Sequence, residues 1–525
     1  MMDILIIGAG GAGQCAALEA SRHGASVIVY SQSEPTRAQT CMAQSGINSA
    51  LGGASSVALH VEDTLRSAQG LAQESVVRFV MEEGANVTKW LDTLGMPFSR
   101  NASGAIAQRK MGAASEPRTC YSQDYTGLKL LHTLYDTCLK EGITFQTGRL
   151  LLELAVQDNI CYGALFLNIK EGALEFVAAK SIILASGGYA GLYHGTTTNG
   201  NESTGDGLAA ALRAGAVLSD LEYVQFHPTS LAHSSVLFSE SARGAGGIII
   251  NDLGERFVNE NMTRDEVSRG LAAQLRKGRK IFLDIRHLGE TFIKEQFPQE
   301  RRMAIIHENV DAIHECIPIK PSAHYSMGGI DVNADLQTSV SRLYAVGECA
   351  NAKLHGANRL GGNSLLEIVV HGRQAGKHAA LHVKDADRVV SYDETYWNRR
   401  LLGLYGQSDE TVYALRKRLG AVLNERVGIF RDATNLQIAF EEIQALEHVY
   451  ESLHVNDTFA NSTWLVEHLK FGNALQLSKA LVLSALNRQE SRGAHWREDY
   501  PMKQEKALHS LVHLHEGVLC WEAKA

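Results

Sequence analysis

The chain is 525 residues long, 45% hydrophobic, and carries a formal net charge of −8. That length supports roughly two to four domains with sizeable cores, and the acidic balance, without a cluster of Lys and Arg, excludes nucleic acid as the main partner. No apolar run approaches the roughly 18 residues of a membrane helix, so the expectation is no direct membrane insertion.

Asp3 to Ile7 is a short apolar run of the kind found in a buried parallel strand. Gly8-Ala-Gly-Gly-Ala-Gly13 follows at once, then a helical segment from Gln14 to His23 and a second strand from Ala25 to Tyr30. This is the dinucleotide fingerprint in its strand–turn–helix setting. Gly8 permits the turn, Gly10 lets a pyrophosphate approach the backbone, and Gly13 lets helix and strand pack closely. The second strand ends Tyr30-Ser31-Gln32-Ser33 without the usual ribose-binding carboxylate. That favours FAD, whose ribose a hydroxyl or amide can hold, over a nicotinamide dinucleotide. Nothing before Asp3 reads as a secretory signal. The eight cysteines, Cys15, Cys41, Cys120, Cys138, Cys161, Cys316, Cys349 and Cys520, show no metal-ligand spacing and read as reduced, as in the cytoplasm.

Arg37 to Gly53 is a loop of small and polar residues able to approach a flat ring closely. A helical pattern spans Val57 to Leu94, a polar loop Arg109 to Asp124, and a helix Thr126 to Lys140. Leu151–Val156, Ile160–Asn168 and Leu174–Ala179 alternate as a small antiparallel insert with a packing role only. Ser181 to Ala185 reads as a separate buried strand running into Gly187-Gly188. Asp206, opening a further helix, reads alone as a cap.

From Leu221 to Ser322 the strand-then-glycine style stops, as in a segment inserted between two halves of a nucleotide domain, and Leu343 to Gly347 resume it. The seam between the two is the expected active site. Ser364 to Ala375 read as a helix capped by Asn363 or Ser364, its first turn suited to an anion, with Arg359 just before it as a fork for a carboxylate. Beyond Val383, helical segments are expected around Leu401–Leu419, Ala433–Leu453 and Thr463–Leu486, then an irregular tail after Ser491. An Arg264–Asp265 pair alone reads as a surface ion pair.

Several motifs in one order carry a resemblance over nearly the whole chain. They are the glycine fingerprint, Arg37-Ala-Gln-Thr40, Thr126-Gly-Leu-Lys-Leu-Leu-His-Thr-Leu134, Thr204-Gly-Asp-Gly207, His227-Pro-Thr229, His324-Tyr-Ser-Met-Gly-Gly329, His355-Gly-Ala-Asn-Arg-Leu-Gly-Gly-Asn-Ser-Leu365 and Glu490-Ser-Arg-Gly-Ala-His495. Together they resemble the flavoprotein subunits of succinate dehydrogenases and fumarate reductases. The resemblance implies an α/β fold. Residues 1–220 and 323–384 would form a Rossmann-like FAD-binding domain, 221–322 an inserted α+β capping domain, 385–490 a C-terminal helical domain and 491–525 a tail.

It further implies that Arg359 and His324 bind one carboxylate of a small dicarboxylate substrate, and His227 and Ser239 the other, Ser239 standing where Thr is usual. Arg264 would be the proton donor or acceptor, resupplied through Glu240 and Arg243. FAD contacts would come from Gly8, Gly10, Gly13, Ser31, Gln39, Thr40, Gly46, Asp206, Glu348, Ser364 and Leu365. Partners would be an iron–sulfur subunit and a membrane anchor, holding the chain at the inner face of the cell membrane.

Two departures bear on chemistry. Gln39 stands where many members tether FAD through a histidine, so non-covalent FAD is expected, with a lower potential that favours fumarate reduction. Gln44 stands where succinate-oxidising members tend to have Gln, which points the other way. L-Aspartate oxidase is the nearest rival, although its His-Tyr motif typically continues Thr-Cys where this chain has Ser326-Met327. A flavin-binding subunit without catalysis is the remaining alternative, and the retained His227, Glu240, Arg264, His324 and Arg359 speak against it.

Overall fold

The computed structural model describes residues 2–383, 391–456 and 459–525; the expected boundary after residue 384 lies outside them. Strand Met2–Ile7 pairs in parallel with Val27–Tyr30 on one side and with the long strand Ala173–Leu184 on the other. Thr144–Gln146 and Leu343–Ala345 extend this parallel sheet at its two edges. Continuous apolar runs suit it because both faces are covered: Ile4, Leu5 and Ile6 are fully buried. On one side the helix Gly11–Arg22 packs against Asn363–His382. Two glycines allow that approach, since a Cβ on Gly376 would lie 2.2 Å from the Ala16 carbonyl oxygen and one on Gly372 2.7 Å from that of Ala12.

The antiparallel strands Arg149–Gln157 and Ile160–Asn168 are not a separate insert. The strand Ala173–Leu184 pairs with Ile160–Asn168 through residues 173–178 and with the parallel sheet through residues 179–184, so one strand replaces the two expected. Nor is the meander mere packing, because Arg149, Leu150 and Leu151 line the main cleft. The helical stretch 57–94 is two helices, Ala54–Ala68 and Glu74–Thr93, broken where Gln69 and Gly70 adopt positive φ.

The inserted segment builds a four-stranded sheet, ordered Val224–Leu231, Ile317–Ser326, Ile281–Asp284, Ile248–Asn251. Its own core includes Phe238, Ile249, Leu271 and Ile317. The strand Ile317–Ser326 runs through the 322/323 boundary expected from the sequence. In the C-terminal part the expected Leu401–Leu419 helix is two, Thr395–Gly403 and Val412–Arg426, the second capped by the Thr411 hydroxyl, which accepts from the Ala414 N–H. Ala433–Glu451 and Thr463–Asn487 complete the helices there.

The tail is not irregular. His509–His515 and Val518–Lys524 form a hairpin that pairs with Leu218–Ser219. Glu516 and Gly517, at φ 49° and 80°, make its turn, the two positive-φ positions that a tight hairpin needs. Upstream of it, Arg488 donates to Glu222 and Glu490, and Arg431 to the Glu222 carbonyl, fastening this part to the inserted segment.

Candidate active site

One long cleft runs from the glycine turn to the seam with the inserted segment. At one end it is walled by Gly8, Gly10, Gly11, Ser31, Gln32, Ser33 and Glu202. Its middle is walled by Gln39, Thr40, Gly46, Asp206, Glu348, Ser364 and Leu365, and its far end by His227, Arg264, His324, Tyr325 and Arg359. The expected cofactor residues thus line a single surface, apart from Gly13. That glycine sits beneath it, where a Cβ would lie 2.0 Å from the Gly8 carbonyl oxygen. Gly8 itself, at φ 116°, brings the turn within 2.1 Å of the Ala185 oxygen for any added Cβ. Thr40 accepts from the Gly11 N–H at 3.1 Å, and Gln39 from the Gly200 N–H at 3.2 Å.

Three local expectations are corrected. Neither Asn363 nor Ser364 caps the helix Asn363–His382; Gly362, at φ 86°, occupies that position with no side-chain cap. The Asn363 amide is held instead by Asn48, His60 and Thr64, and Ser364 accepts from Arg359 at 3.3 Å. The helix N-terminus therefore presents its partial positive charge to the cleft without a side-chain competitor. Asp206 is likewise the first residue of its helix rather than the cap, which is Gly205 at φ 78°; its carboxylate accepts from Thr204 and Asn473. Arg264 does not pair with Asp265, which takes Arg269.

At the far end both histidines are set by irregularities in one strand pair. Gln225 faces Tyr325 and Phe226 faces Ala323, which leaves His324 as an extra residue in its strand. A second shift follows His227, where Pro228 cannot contribute a ladder hydrogen bond. Bulges re-aim side chains, and here the two imidazoles meet edge to face with centroids 4.9 Å apart. The Thr229 N–H approaches His227 Nδ1 at 3.3 Å and the Thr198 hydroxyl approaches His324 Nδ1 at 2.7 Å. Acceptance from the Thr229 N–H places the ring hydrogen of His227 on Nε2. Burial, then neighbouring Arg264, holds both rings well below the usual histidine range, so they are neutral at pH 7.

Arg264 opens the helix Arg264–Arg276, whose start is fixed by Glu266 accepting from the Thr263 N–H and hydroxyl. Its guanidinium donates twice to Glu240 Oε2, at 2.8 and 2.6 Å, and once to Gln225 Oε1 at 2.9 Å. Arg243 lies 3.1 Å from Glu240 Oε1 as an ion pair without hydrogen-bond alignment, its Nη1 donating to the Glu260 carbonyl. The expected Arg264–Glu240–Arg243 set is therefore contiguous. A Cβ on Gly361 would lie 2.3 Å from Glu240 Oε2, so only glycine lets the Arg359 loop rest on this pair. Burial opposes ionisation of Glu240, but Arg264 and Arg243 prevail and hold its carboxyl below the usual range.

Arg359 is 3% exposed and has no carboxylate partner among the described residues; its Nε makes no hydrogen bond. Its guanidinium lies 4.2 Å over the Tyr325 ring, whose hydroxyl donates to Glu367. Burial, reinforced by Arg264, pushes Arg359 down to about 10. A buried cation without a counter-ion is costly, and a dianion between Arg359 and Arg264 would supply what is missing.

Ser239, expected on the substrate, is fully buried just behind this wall. Its hydroxyl lies 2.8 Å from that of Ser45, which does line the cleft. Sequence reading missed Ser45, Gln225, Tyr325 and Glu202. All are common polar types, and only strand register or loop closure brings them here. Glu202, hydrogen-bonded by Ser33, supplies a carboxylate at the end of the cleft where the second strand itself lacks one.

Comparison with known proteins agrees with this geometry. Residues 3–365 match the FAD binding domain model and residues 416–517 the fumarate reductase flavoprotein C-terminal model. The 8-methylmenaquinol:fumarate reductase flavoprotein subunit of Wolinella succinogenes is 38% identical over 97% of this chain and 88% of its own length. The chain belongs to the succinate dehydrogenase and fumarate reductase flavoprotein family. The succinate dehydrogenase flavoprotein subunit of Rickettsia bellii is 34% identical over 96% of this chain and 91% of its own. A structure of a quinol-fumarate reductase with menaquinol molecules superposes with a TM-score of 0.95 at 32% identity, covering 100% of this chain and 98% of that one. As in the rest of the family, the cofactor is FAD, and the protein is an FAD-dependent oxidoreductase. The glycine turn, where a Cβ on Gly8, Gly11 or Gly13 would intrude, and the uncapped helix at Gly362 fit that anionic dinucleotide. Among the described residues no helix is long and apolar enough to cross a membrane.

Proposed function

We propose that this flavoprotein is the catalytic subunit that interconverts succinate and fumarate, exchanging electrons through an iron–sulfur partner of a quinone-linked, membrane-anchored complex. The observation that carries the substrate reading is Arg359, buried and without a carboxylate partner among the described residues, lining the same cleft as Arg264. The word "subunit" in the relatives' names, and the quinol reductase among them, support the partner.

Arg359 and His324 bind one carboxylate; His227, with the Ser239–Ser45 hydroxyls, binds the other. Donors fixed before substrate arrives stabilise charge that builds on the carboxylates in the transition state. Bound FAD supplies the hydride donor or acceptor. Arg264, held on three sides by Glu240 and Gln225, gives a proton to the substrate carbon in fumarate reduction or takes it in succinate oxidation. A guanidinium is a poor acid in water, with a pKa above about 12, but a carbanion-like carbon is a stronger base still. In fumarate reduction Glu240 returns a proton from Arg243 to Arg264, and in succinate oxidation it carries the proton the other way. Gln39 offers an amide, which cannot form the histidyl link, so FAD is held without a covalent bond.

The test is turnover by the purified, FAD-loaded chain with reduced viologen and fumarate, and with succinate and a dye acceptor. Activity in either direction is expected. No turnover at full flavin occupancy rejects the reading, and steady oxygen consumption with L-aspartate replaces it with an oxidase.

A further inference from the structure

Behind Ser239 lies a carboxyl group that the chemistry above does not use. Glu300, near the start of the helix Pro298–Glu308, is fully buried, and neither of its oxygens has a hydrogen-bond partner among the described residues. Ser239 is a polar neighbour whose hydroxyl and N–H favour the ionised carboxylate, although no hydrogen bond to it is formed. Asp124 lies close by, its Oδ2 accepting from the Gln299 and Glu300 N–H groups at 2.7 and 3.0 Å. Arg109 is the opposing charge, but its guanidinium is spent on the carbonyls of Ser45 and Gln123 and on the Tyr121 ring.

Other ionisable groups on the packed elements are engaged elsewhere. Lys294 pairs with Glu290, Arg301 with Asp311, Lys320 lies beside Glu308, Arg302 beside Tyr125, and His227 and His324 face Arg264. Burial, then Asp124, pushes the Glu300 carboxyl up to about 8.

The hydroxyls of Ser241, Ser239 and Ser45 form a chain, 2.5 Å and 2.8 Å between successive oxygens, that ends at the cleft wall. Ser239 Oγ already accepts from the Ser241 N–H, and it has one hydrogen to give. We propose that Glu300 sets the direction of the Ser239–Ser45 hydroxyl chain, and through it the affinity of the site for a substrate carboxylate. With Glu300 neutral, Ser239 donates to Ser45 and Ser45 donates into the cleft. With Glu300 ionised, Ser239 turns its hydrogen to Glu300, Ser45 donates back to Ser239, and lone pairs face the incoming carboxylate. Glu300 is thus a positioning residue that loosens dicarboxylate binding as pH rises; the inference rests on the dicarboxylate reading given above.

The experiment is binding of malonate, a dicarboxylate that cannot turn over, to the FAD-loaded chain, read by flavin absorbance between pH 6.5 and 9. In the unsubstituted protein Kd is expected to rise about tenfold across that range, while in Glu300→Gln, permanently neutral, it changes less than about twofold. Calorimetry of the unsubstituted protein at pH 8 in two buffers of different ionisation enthalpy should show proton uptake on malonate binding, a readout independent of how well the variant folds. Parallel pH profiles in the two proteins, or no proton uptake, overturn the role of Glu300. Absence of malonate binding at pH 6.5 instead overturns the dicarboxylate reading.

Discussion

Replacing Glu240 by Gln keeps the volume of the side chain and removes the only carboxylate that Arg264 touches among the described residues. Glu240 is 1% exposed, and its charge is balanced against Arg264, Arg243 and Arg359. The substitution weakens two charge-assisted bonds, at 2.8 and 2.6 Å, and cuts the route from Arg243. Loss of a positioned proton carrier costs about 10²–10⁴ in rate, equivalent to about 3–5 kcal/mol of barrier. Binding moves the other way, because a negative charge beside Arg264 and Arg359 is removed while the guanidinium groups stay, so malonate binds as tightly as before or more so. Viologen-linked fumarate reduction gives kcat, and flavin absorbance with malonate gives Kd. A kcat within about threefold of the unsubstituted enzyme refutes the proton route. Weakened malonate binding with kcat intact refutes the electrostatic picture.

Arg264→Ala is expected to retain FAD and most dicarboxylate affinity while turnover is lost; near-normal rates reject its role as acid and base. After acid precipitation the yellow colour should stay in the supernatant, and colour in the pellet would mean that the flavin is tethered despite Gln39. Glu300 gives a stability prediction of definite sign. Its carboxyl rises from 4.5 to about 8 on folding, so between those values the folded state holds a proton that the unfolded chain has released. Stability therefore falls with rising pH across that window and levels off above it. By pH 8 the cost is on the order of a few kcal/mol. Thermal melts should show Glu300→Gln raising Tm more at pH 8 than at pH 5, and an equal shift at both would argue that the carboxyl is never neutral.

The cofactor half of the cleft was readable in the sequence because its elements announce themselves locally. An apolar run, a glycine turn and a helical period lie side by side from Asp3 to Arg22, and the structure places them as expected. The helix Thr126–Lys140 likewise matches its pattern. Where expectation failed, a distant partner had taken over a local signal. Asn363 is a good cap residue by type, but Asn48, His60 and Thr64 consume its amide. Arg264 and Asp265 are neighbours in sequence, yet the helix turns them to different partners, Glu240 and Arg269. The C-terminal hairpin was hidden by its histidines, although Glu516-Gly517 between two alternating runs was a usable turn signal. The Ser45–Ser239 contact joins residues 194 apart, and no spacing rule reaches that far.

The bulge at His324 also says what this fold gives up at its seam. A strand one residue shorter there could pair with Gln225 and Phe226 in even register, leaving only the shift after His227. Such a shortened chain would still bring its two halves together and still cradle a flavin, but the imidazole would be gone from the cleft end where the proposed dicarboxylate would bind. The irregularity trades ladder regularity for an imidazole at the cleft wall.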